Sequence, residues 1–409
     1  MFKKLLNRKK RKQQKKAAAL AAANAIMICP WRHLSFSTNN MKIVEQEMEL
    51  HNCQIIANTR FVIDGIDKLF FTSGEVPNYS LQQAAQKWKF CEEDFQSCIF
   101  NKEKNEIIFR IKSAEQYLTG TTVYASNYEP NNLYHFFMDC IFDAIFAKDK
   151  GIKIDNIVTH KSLIPRFREI LTKLFPEAKI INAETGEIVT VEKLILFPKR
   201  NVQWHWIRKN SADEKQTSIG RHFFNEEYLR SLQKTLFAAF EIKPGEQNSD
   251  RAKMITFIPR KSNFRNTLNQ DELENLLRNK CPAKQLTILD PATASFSEIG
   301  TILSKTDLLI CQEGAALFNI IFANKINMAI LTWPLFDKTK QDSIYEEIAN
   351  MLHHKFKTIP ASWHQVKCDE KNGFSEYLSS ESLSDLIVPL DLVEQFLNDF
   401  FKSDQDRKI

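Results

Sequence analysis

The sequence predicts an α/β protein whose second half is a doubly wound parallel sheet. In that half short apolar runs alternate with helical segments, and glycine and proline are scarce, at 10 and 13 of 409 residues. Alternating strands and helices favour a parallel sheet covered by helices on both faces. A chain of this length exceeds one ordinary core, and the polar segment 243–250, with adjacent Pro and Gly, is the best linker between two domains.

The first half begins with residues 41–130, which look irregular apart from strand-like runs at Gln54–Asn58 and Ile107–Ile111. The apolar stretch that follows predicts one buried helix over Asn131–Lys148. Short apolar runs and helical periodicity predict the other elements: strands at Ile154–Val158, Lys179–Ile181 and Leu194–Phe197, and helices at Pro165–Leu174 and Asn225–Phe240.

The second half alternates between strand and helix throughout. The predicted strands are Met254–Ile258, Leu286–Leu289, Leu308–Cys311 and Ala329–Leu331. The predicted helices are Asp271–Asn279, Phe296–Ser304, Ala315–Ala323 and Asp342–His353. Ligands of such sheets bind at the carboxyl ends of the strands, so the loops that follow these strands are the first candidates for a site.

Positive charge is concentrated at the N-terminus. Nine of the 56 basic residues fall within residues 1–16, which contain no acidic residue. The rest of the chain has 47 basic and 50 acidic residues. A body that binds nucleic acid would need a basic excess of its own, so no nucleic-acid partner is expected. The eight cysteines are scattered without a CxxC pair or zinc-site spacing, which favours a reducing, cytoplasmic compartment.

The N-terminal tail, residues 1–40, includes the Ala-rich run Ala17–Ile28. This run is shorter than the about 20 residues that a membrane span needs. A signal peptide has the same order of basic and apolar residues, but the run is weakly hydrophobic and no small-x-small site follows it. Three interpretations stay open: a solubilising helix, peripheral contact of residues 1–28 with anionic lipid on the inner face of the membrane, and RNA binding.

Two loops of the second half could hold a phosphorylated ligand. Small residues at Gly314 and Ala315 would let a ligand approach the backbone N–H groups between a strand and a helix, although such a turn also serves plain packing. The cations Arg260, Lys261 and Arg265 follow the first strand of the same sheet and could neutralise a diphosphate. The alternative is an ordinary solvated basic loop.

The first half contains a candidate catalytic pair. His135 and Asp139 are four residues apart, so they share one face of the predicted helix within a Phe-rich surface. Such a pair could supply a general base, or it could be a buried structural pair. Dinucleotide, P-loop and GxSxG motifs are absent from the sequence, and no Asp-x-Asp follows a buried strand, so no metal is expected.

Taken in order, these segments resemble glycosyltransferase family 61 over roughly residues 120–335. The similarity is carried by four short motifs: His135-x-Phe137-x-Asp139; Arg260 and Arg265 followed by Leu268-Asn269-x-Asp271-Glu272-Leu273; Ser295-Phe296-Ser297-Glu298; and Gly314-Ala315-Ala316-Leu317-x-Asn319. Three positions depart from the family's usual residues. Glu313 stands where the family commonly has His, Asn266 where it has a second Arg, and Ile299 where it often has Gln.

The resemblance implies a GT-B-like fold, in which two Rossmann-like domains face a central cleft. Residues 41–242 would form the acceptor-side domain and residues 251–360 the nucleotide-sugar domain. Residues 361–409 would add a helix that packs back on the N-terminal domain. It also implies inverting, metal-independent transfer from a nucleotide-sugar donor to a glycan acceptor, with no cofactor.

The residues that match the family's motifs take the following expected roles. Asp139 would be the catalytic base and His135 its partner, with the reverse assignment open. The donor would contact Arg260, Arg265, Glu298, Glu313, Gly314, Ala315 and Asn319. The expected acceptor is a bacterial capsule, a lipopolysaccharide or a precursor of such a glycan. Two alternatives remain: a non-catalytic relative that binds a glycan or sugar nucleotide, and a doubly wound methyltransferase.

Overall fold

The computed structural model describes the following parts of the chain: residues 31–37, 41–44, 46–57, 61–65, 68–71, 98–101, 106–126, 131–197, 226–243, 253–260, 266–282, 285–332, 344–364 and 385–405. The predictions for residues 1–30, for Lys261 and Arg265 and for most of the linker at 243–250 therefore concern positions outside the described residues. None of the helices within these ranges is both long and apolar enough to cross a bilayer.

A mixed sheet dominates the first half, with ten strands among the described residues. Its strands are β1 (Trp31–Ser37), β2 (Met41–Ile43), β3 (Met48–Ile56), β4 (Phe61–Asp64), β5 (Lys68–Phe71), β6 (Cys98–Asn101), β7 (Glu106–Ala125), β8 (Asn156–His160), β9 (Lys179–Ala183) and β10 (Glu187–Leu196). They are ordered β2-β5-β4-β3-β10-β7-β8-β9, and β1 and β6 both pair with the long strand β7. The expectation of irregular structure over residues 41–130 was therefore wrong.

Only part of this first sheet is parallel. β10, β7, β8 and β9 pair in parallel, whereas β3 is antiparallel to both β4 and β10. The sheet is thus mixed, unlike the purely parallel sheet of a Rossmann-like domain. The described residues of this half form the helices α1 (Leu133–His135), α2 (Phe142–Asp149), α3 (Pro165–Leu174) and α4 (Glu226–Ala239), and a π-helical turn (Phe136–Cys140) joins α1 to α2.

The second half contains a parallel sheet, which confirms the α/β prediction. Five strands appear in its described part, in the order β12-β11-β13-β14-β15. The strands are β11 (Ile255–Ile258), β12 (Leu286–Ile288), β13 (Leu308–Gln312), β14 (Asn327–Thr332) and β15 (Lys355–Pro360). β11 and β13 are buried along their whole length, as expected for strands covered on both faces. The helices are α5 (Gln270–Lys280), α6 (Phe296–Leu303) and α7 (Ile344–Met351), and a 3₁₀ helix (Ala315–Phe322) replaces the predicted α-helix.

The chain continues with two short strands and a helix: β16 (Ser362–His364), β17 (Asp385–Ile387) and α8 (Leu390–Gln405). We expected the last helix to pack on the N-terminal domain, and this was wrong. Val393 and Leu397 of α8 are buried in the same cluster as Leu273 and Leu277 of α5. The apolar stripe of α5 faces α8, so α8 covers the second sheet instead of crossing to the first.

The two halves share one hydrophobic core. Phe137 of the π-helical turn stacks on Phe318 of the 3₁₀ helix, with ring centroids 5.6 Å apart, and lies 6.3 Å from Phe296. Arg166 of α3 places its guanidinium 4.1 Å from the Phe296 ring centre and donates to the carbonyl oxygen of Ala294 at 2.8 Å. The first-half helices therefore pack directly against the helices that follow β12 and β13.

His354 holds the end of the 3₁₀ helix in place. Its Nδ1 accepts from the Ile326 N–H at 3.3 Å, so the ring proton lies on Nε2, which donates to the Ile320 carbonyl at 3.2 Å. Burial is the main cause that lowers the pKa of His354 from 6.5 to about 4. Protonation of Nδ1 would break the bond from Ile326 and place a charge in the core.

We therefore expect acid to weaken the fold through His354. Because the folded pKa of His354 lies below the unfolded one, the unfolded chain binds the extra proton between pH 6.5 and about 4. The contribution to the free energy of unfolding is complete above pH 6.5 and falls by about 2 kcal/mol by pH 5. Denaturant unfolding of His354→Gln should show a flatter pH dependence than wild type. The exposed control His51→Gln should match wild type, and a wild-type slope in His354→Gln would contradict the expectation.

Candidate active site

The candidate catalytic pair lies on α1 and the π-helical turn. Asn132 caps α1, because its side-chain oxygen accepts from the Tyr134 N–H at 3.0 Å. His135 Nδ1 lies 2.7 Å from Asp139 Oδ2, so the contact expected from the four-residue spacing is present. The His135 side chain is 12% exposed and that of Asp139 is 18% exposed. The pair is thus largely shielded and still within reach of a ligand.

The π-helical turn that contains Asp139 has a wider backbone spiral than an α-helix. The Ile141 N–H bonds to the Phe136 carbonyl, five residues back, and the hydroxyl of Tyr228 donates to the Phe137 carbonyl. Burial raises the pKa of the Tyr228 phenol well above its usual value, with smaller contributions from nearby groups such as Asp139, so it stays a donor. Single π turns inside helices occur often at functional sites. The single helix predicted over Asn131–Lys148 is interrupted here because α4 supplies this donor.

Aromatic rings fix the orientation of the pair. The Tyr134 ring meets the His135 imidazole edge to face, with centroids 5.2 Å apart, and contacts Phe318 of the 3₁₀ helix at 5.8 Å. Phe136 and Phe137 are fully buried beside them. The elements that carry the pair therefore pack against the 3₁₀ helix that follows Gly314, which brings the two regions singled out in the sequence into contact.

The turn between β13 and the 3₁₀ helix is built around Gly314. Its φ of 151° lies in a region that favours glycine, and a Cβ atom there would clash with Nη1 of Arg260. The same Nη1 donates to the Glu313 carbonyl at 3.4 Å. Arg260 thus lies against the Glu313–Gly314 turn, as expected for residues that leave neighbouring parallel strands at one edge of the sheet.

Two further residues predicted to contact the nucleotide-sugar donor make hydrogen bonds within the protein. Glu298 accepts from the N–H and the hydroxyl of Ser295 at 2.7 and 2.8 Å, forming a capping box at the start of α6. These hydrogen bonds lower the pKa of Glu298. Asn319 is buried and donates to the Ala316 carbonyl at 2.7 Å, while its Oδ1 has no hydrogen-bond partner among the described residues. A buried amide oxygen of this kind calls for a donor, which a ligand or water could supply.

Ala315 begins the 3₁₀ helix directly after the glycine and is partly buried. Arg265 lies outside the described residues, so its donor role stays a prediction. Within the part of the chain that the structure describes, no group of three or more His, Cys, Asp or Glu side chains is placed to hold a metal ion.

Sequence reasoning missed two residues that support the turn. Gln312, the last residue of β13, accepts from the Thr267 hydroxyl at 3.2 Å, and both side chains are buried. A polar residue at the end of an otherwise apolar strand was the available signal, because a buried amide must find a partner. Thr267 had no such signal, because its partner is 45 residues away in the sequence.

The sequence of this region also matches a known protein family. Residues 133–328, which run from α1 into β14, match the family model described as Glycosyltransferase 61. The match includes His135, Asp139, Arg260 and the Glu313–Gly314 turn. No curated protein matches the sequence. The chain thus carries a glycosyltransferase family 61 domain over residues 133–328, and this domain makes the protein a glycosyltransferase.

Proposed function

We propose that this glycosyltransferase moves a sugar from a nucleotide-sugar donor to a hydroxyl of a bacterial surface glycan or its precursor, with inversion and without a metal. The observation that carries the proposal is the packing of two elements against each other. The shielded His135–Asp139 pair sits on one, and the Gly314 turn with its adjacent Arg260 begins the other. The first element supplies a proton acceptor and the second a cation.

The chemistry assigned to these residues is a single displacement. The base takes the proton of the acceptor hydroxyl, whose oxygen forms a bond to the anomeric carbon as the bond to the donor diphosphate breaks on the opposite face. The diphosphate leaves with the bonding electrons. Arg260, together with Arg265, would neutralise that developing charge.

The geometry leaves two assignments for the base. Asp139 would be the base if His135 only orients it. If instead the Nδ1–H group of His135 donates a hydrogen bond to Asp139, the unprotonated Nε2 atom of the imidazole is the base and Asp139 fixes the tautomer of the ring. The contact between the two side chains is the same in both cases, since each assignment uses the 2.7 Å bond.

We also propose that the first half binds the acceptor and the second half binds the donor, because the first half carries the His135–Asp139 pair and the second carries Arg260. We further propose that the protein works in the cytoplasm and that residues 1–28 hold it at the inner face of an anionic membrane, where each basic residue near the lipid adds about 1 kcal/mol. The support for this location is the nine cations within residues 1–16.

The deciding experiment is a transfer assay over a panel of nucleotide sugars with EDTA present. Capsule and lipopolysaccharide fragments serve as acceptors, and the anomeric configuration of the product is read by NMR. We expect product with inverted configuration from at least one donor. A retained configuration, or transfer only after a divalent metal is added, would contradict the proposed mechanism.

A further inference from the structure

The C-terminal segment 385–388, here termed the clasp, lies against the chain just beyond Arg260 and Arg265 in sequence. Leu386 and Thr267 form a parallel bridge, in which the Leu386 N–H donates to the Asn266 carbonyl and the Leu268 N–H donates to the Leu386 carbonyl, both at 2.7 Å. On its other edge the clasp pairs with β16 in antiparallel fashion. The clasp is therefore the middle strand of a small sheet that joins the chain leaving β11 to the chain leaving β15.

Two side chains reinforce this pairing. Asp385 Oδ1 accepts from the Asn266 N–H at 2.6 Å. Asn269 donates through Nδ2 to the Val388 carbonyl at 2.8 Å, and its Oδ1 accepts from the Val388 N–H at 2.9 Å. Asn269 is the N-cap residue of α5, yet its side chain makes no capping bond. An asparagine at this position usually caps its own helix, so here that interaction is replaced by one with the clasp.

The clasp is anchored independently of the candidate site. Leu386 and Val388 are almost fully buried and belong to the same apolar cluster as Val393 and Leu397 of α8. A segment about 120 residues away in sequence is thus held on the second half by its own core contacts, and its backbone in turn bonds to residues 266 and 268.

These contacts reach the turn that carries Gly314. Thr267, held between its two hydrogen-bonded neighbours, donates to Gln312 at 3.2 Å, and Gln312 directly precedes Glu313. Arg260 contacts the same turn through the Glu313 carbonyl. Arg260 and Thr267 are therefore both held against one turn, and the clasp holds Thr267 through its two neighbours.

We propose that the clasp positions residues 266–268 and the Glu313–Gly314 turn for the donor diphosphate, so that Asp385 and Asn269 are positioning residues of the transferase. This inference rests on the proposed function, because it assigns the donor to that turn. Neither residue is required to touch the donor. Their effect runs through the Asn266 and Leu268 backbone and through Thr267.

The test compares Asp385→Ala with Asp385→Asn in the full chain. Amide hydrogen exchange should show faster exchange at Asn266 and Leu268 in Asp385→Ala, and titration with UDP and GDP should show an affinity weakened about three- to tenfold. Asp385→Asn keeps an acceptor oxygen, so its amide exchange and its nucleotide affinity should match those of wild type. Asn269→Ala is a second variant that removes both bonds to Val388, and it should resemble Asp385→Ala.

Glu394→Gln is the matched control. It weakens an ion pair between α8 and Lys280 of α5 without touching residues 266–269, so it should change neither exchange at Asn266 nor nucleotide affinity. Wild-type exchange and affinity in both Asp385→Ala and Asn269→Ala would overturn this inference but not the proposed function. If the wild-type chain bound neither nucleotide, the proposed donor site would fail, whereas the exchange measurement would still show whether the clasp holds residues 266–268.

Discussion

Replacement of Asp139 by asparagine is expected to lower sugar transfer by about 10²–10⁴-fold, the usual loss when a general base is removed. The substitution keeps the shape of the side chain but removes its negative charge and its basicity. The 2.7 Å contact with His135 makes this loss expected whether Asp139 is the base or fixes the tautomer of the imidazole. Initial rates at saturating donor measure the effect.

Donor affinity and thermal stability should stay close to wild type in the same variant, because Asp139 lies on the first-half element and not on the Gly314 turn. Asp149→Asn, at the exposed end of α2, is a matched control that should transfer at the wild-type rate. If Asp139→Asn retained more than a few per cent of wild-type turnover, the base would have to be sought elsewhere.

His135→Asn separates the two assignments of the base. The amide nitrogen of asparagine can replace the Nδ1 donor that faces Asp139, but asparagine has no basic nitrogen in place of Nε2. If Asp139 is the base, this variant should keep much more activity than Asp139→Asn. If His135 is the base, the two variants should lose activity equally.

Much of the second half could be predicted from the sequence because its signals are local. Each strand of the parallel sheet is a short apolar run, and burial on both faces makes such runs continuous. The capping box at Ser295 and Glu298 likewise follows from a spacing of three residues. The sequence also placed Arg260 and the Gly314 turn at the same edge of the sheet, although their contact depends on the pairing of β11 with β13.

The first half was harder to predict because its strands depend on distant partners. β7 runs for 20 residues through polar positions such as Lys112 and Gln116, and it pairs with β1, β6, β8 and β10 along different parts of its length. Those backbone hydrogen bonds supply the stability that the local pattern lacks. The π-helical turn depends in the same way on Tyr228, which is 91 residues from the carbonyl it binds.

The clasp shows the same limit within the candidate site. Nothing near Asn269 in sequence indicates that its amide will bond to Val388, which is 119 residues away. The predicted packing of α8 on the first half was also wrong, because the sequence of an amphipathic helix shows which face is buried but not which element covers that face. Residue types and spacing therefore predicted the candidate site, whereas long-range pairing determines how its residues are held.

Loss of Arg260 is expected to weaken binding of a nucleoside diphosphate by about ten- to a hundredfold. A hydrogen bond to a charged group contributes about 1.5–3 kcal/mol, and about 1.4 kcal/mol corresponds to a factor of ten. Arg260→Ala removes both a cation beside the turn and the bond to the Glu313 carbonyl. Calorimetric titration with UDP and GDP in EDTA measures the affinity, and Arg265→Ala should show a loss of similar size.

Arg260→Lys should recover only part of the affinity, because an ammonium group cannot make the planar two-pronged contact of a guanidinium. Arg278→Ala is the matched control, since it removes an exposed cation from α5 that pairs only with Glu274 one turn away among the described contacts. That control should bind as tightly as wild type. A comparable loss in Arg278→Ala would show that net charge, not the position of the guanidinium, determines affinity.

Gly314→Ala tests the position of the guanidinium without removing it. A Cβ atom at this residue would occupy space held by Arg260 Nη1, and the φ of 151° disfavours any residue except glycine. The cation remains but must move, so affinity for the nucleoside diphosphate should fall although the charge is unchanged. If wild-type affinity persists in Gly314→Ala and in the double variant without Arg260 and Arg265, or if it collapses in EDTA, the diphosphate binds away from this turn.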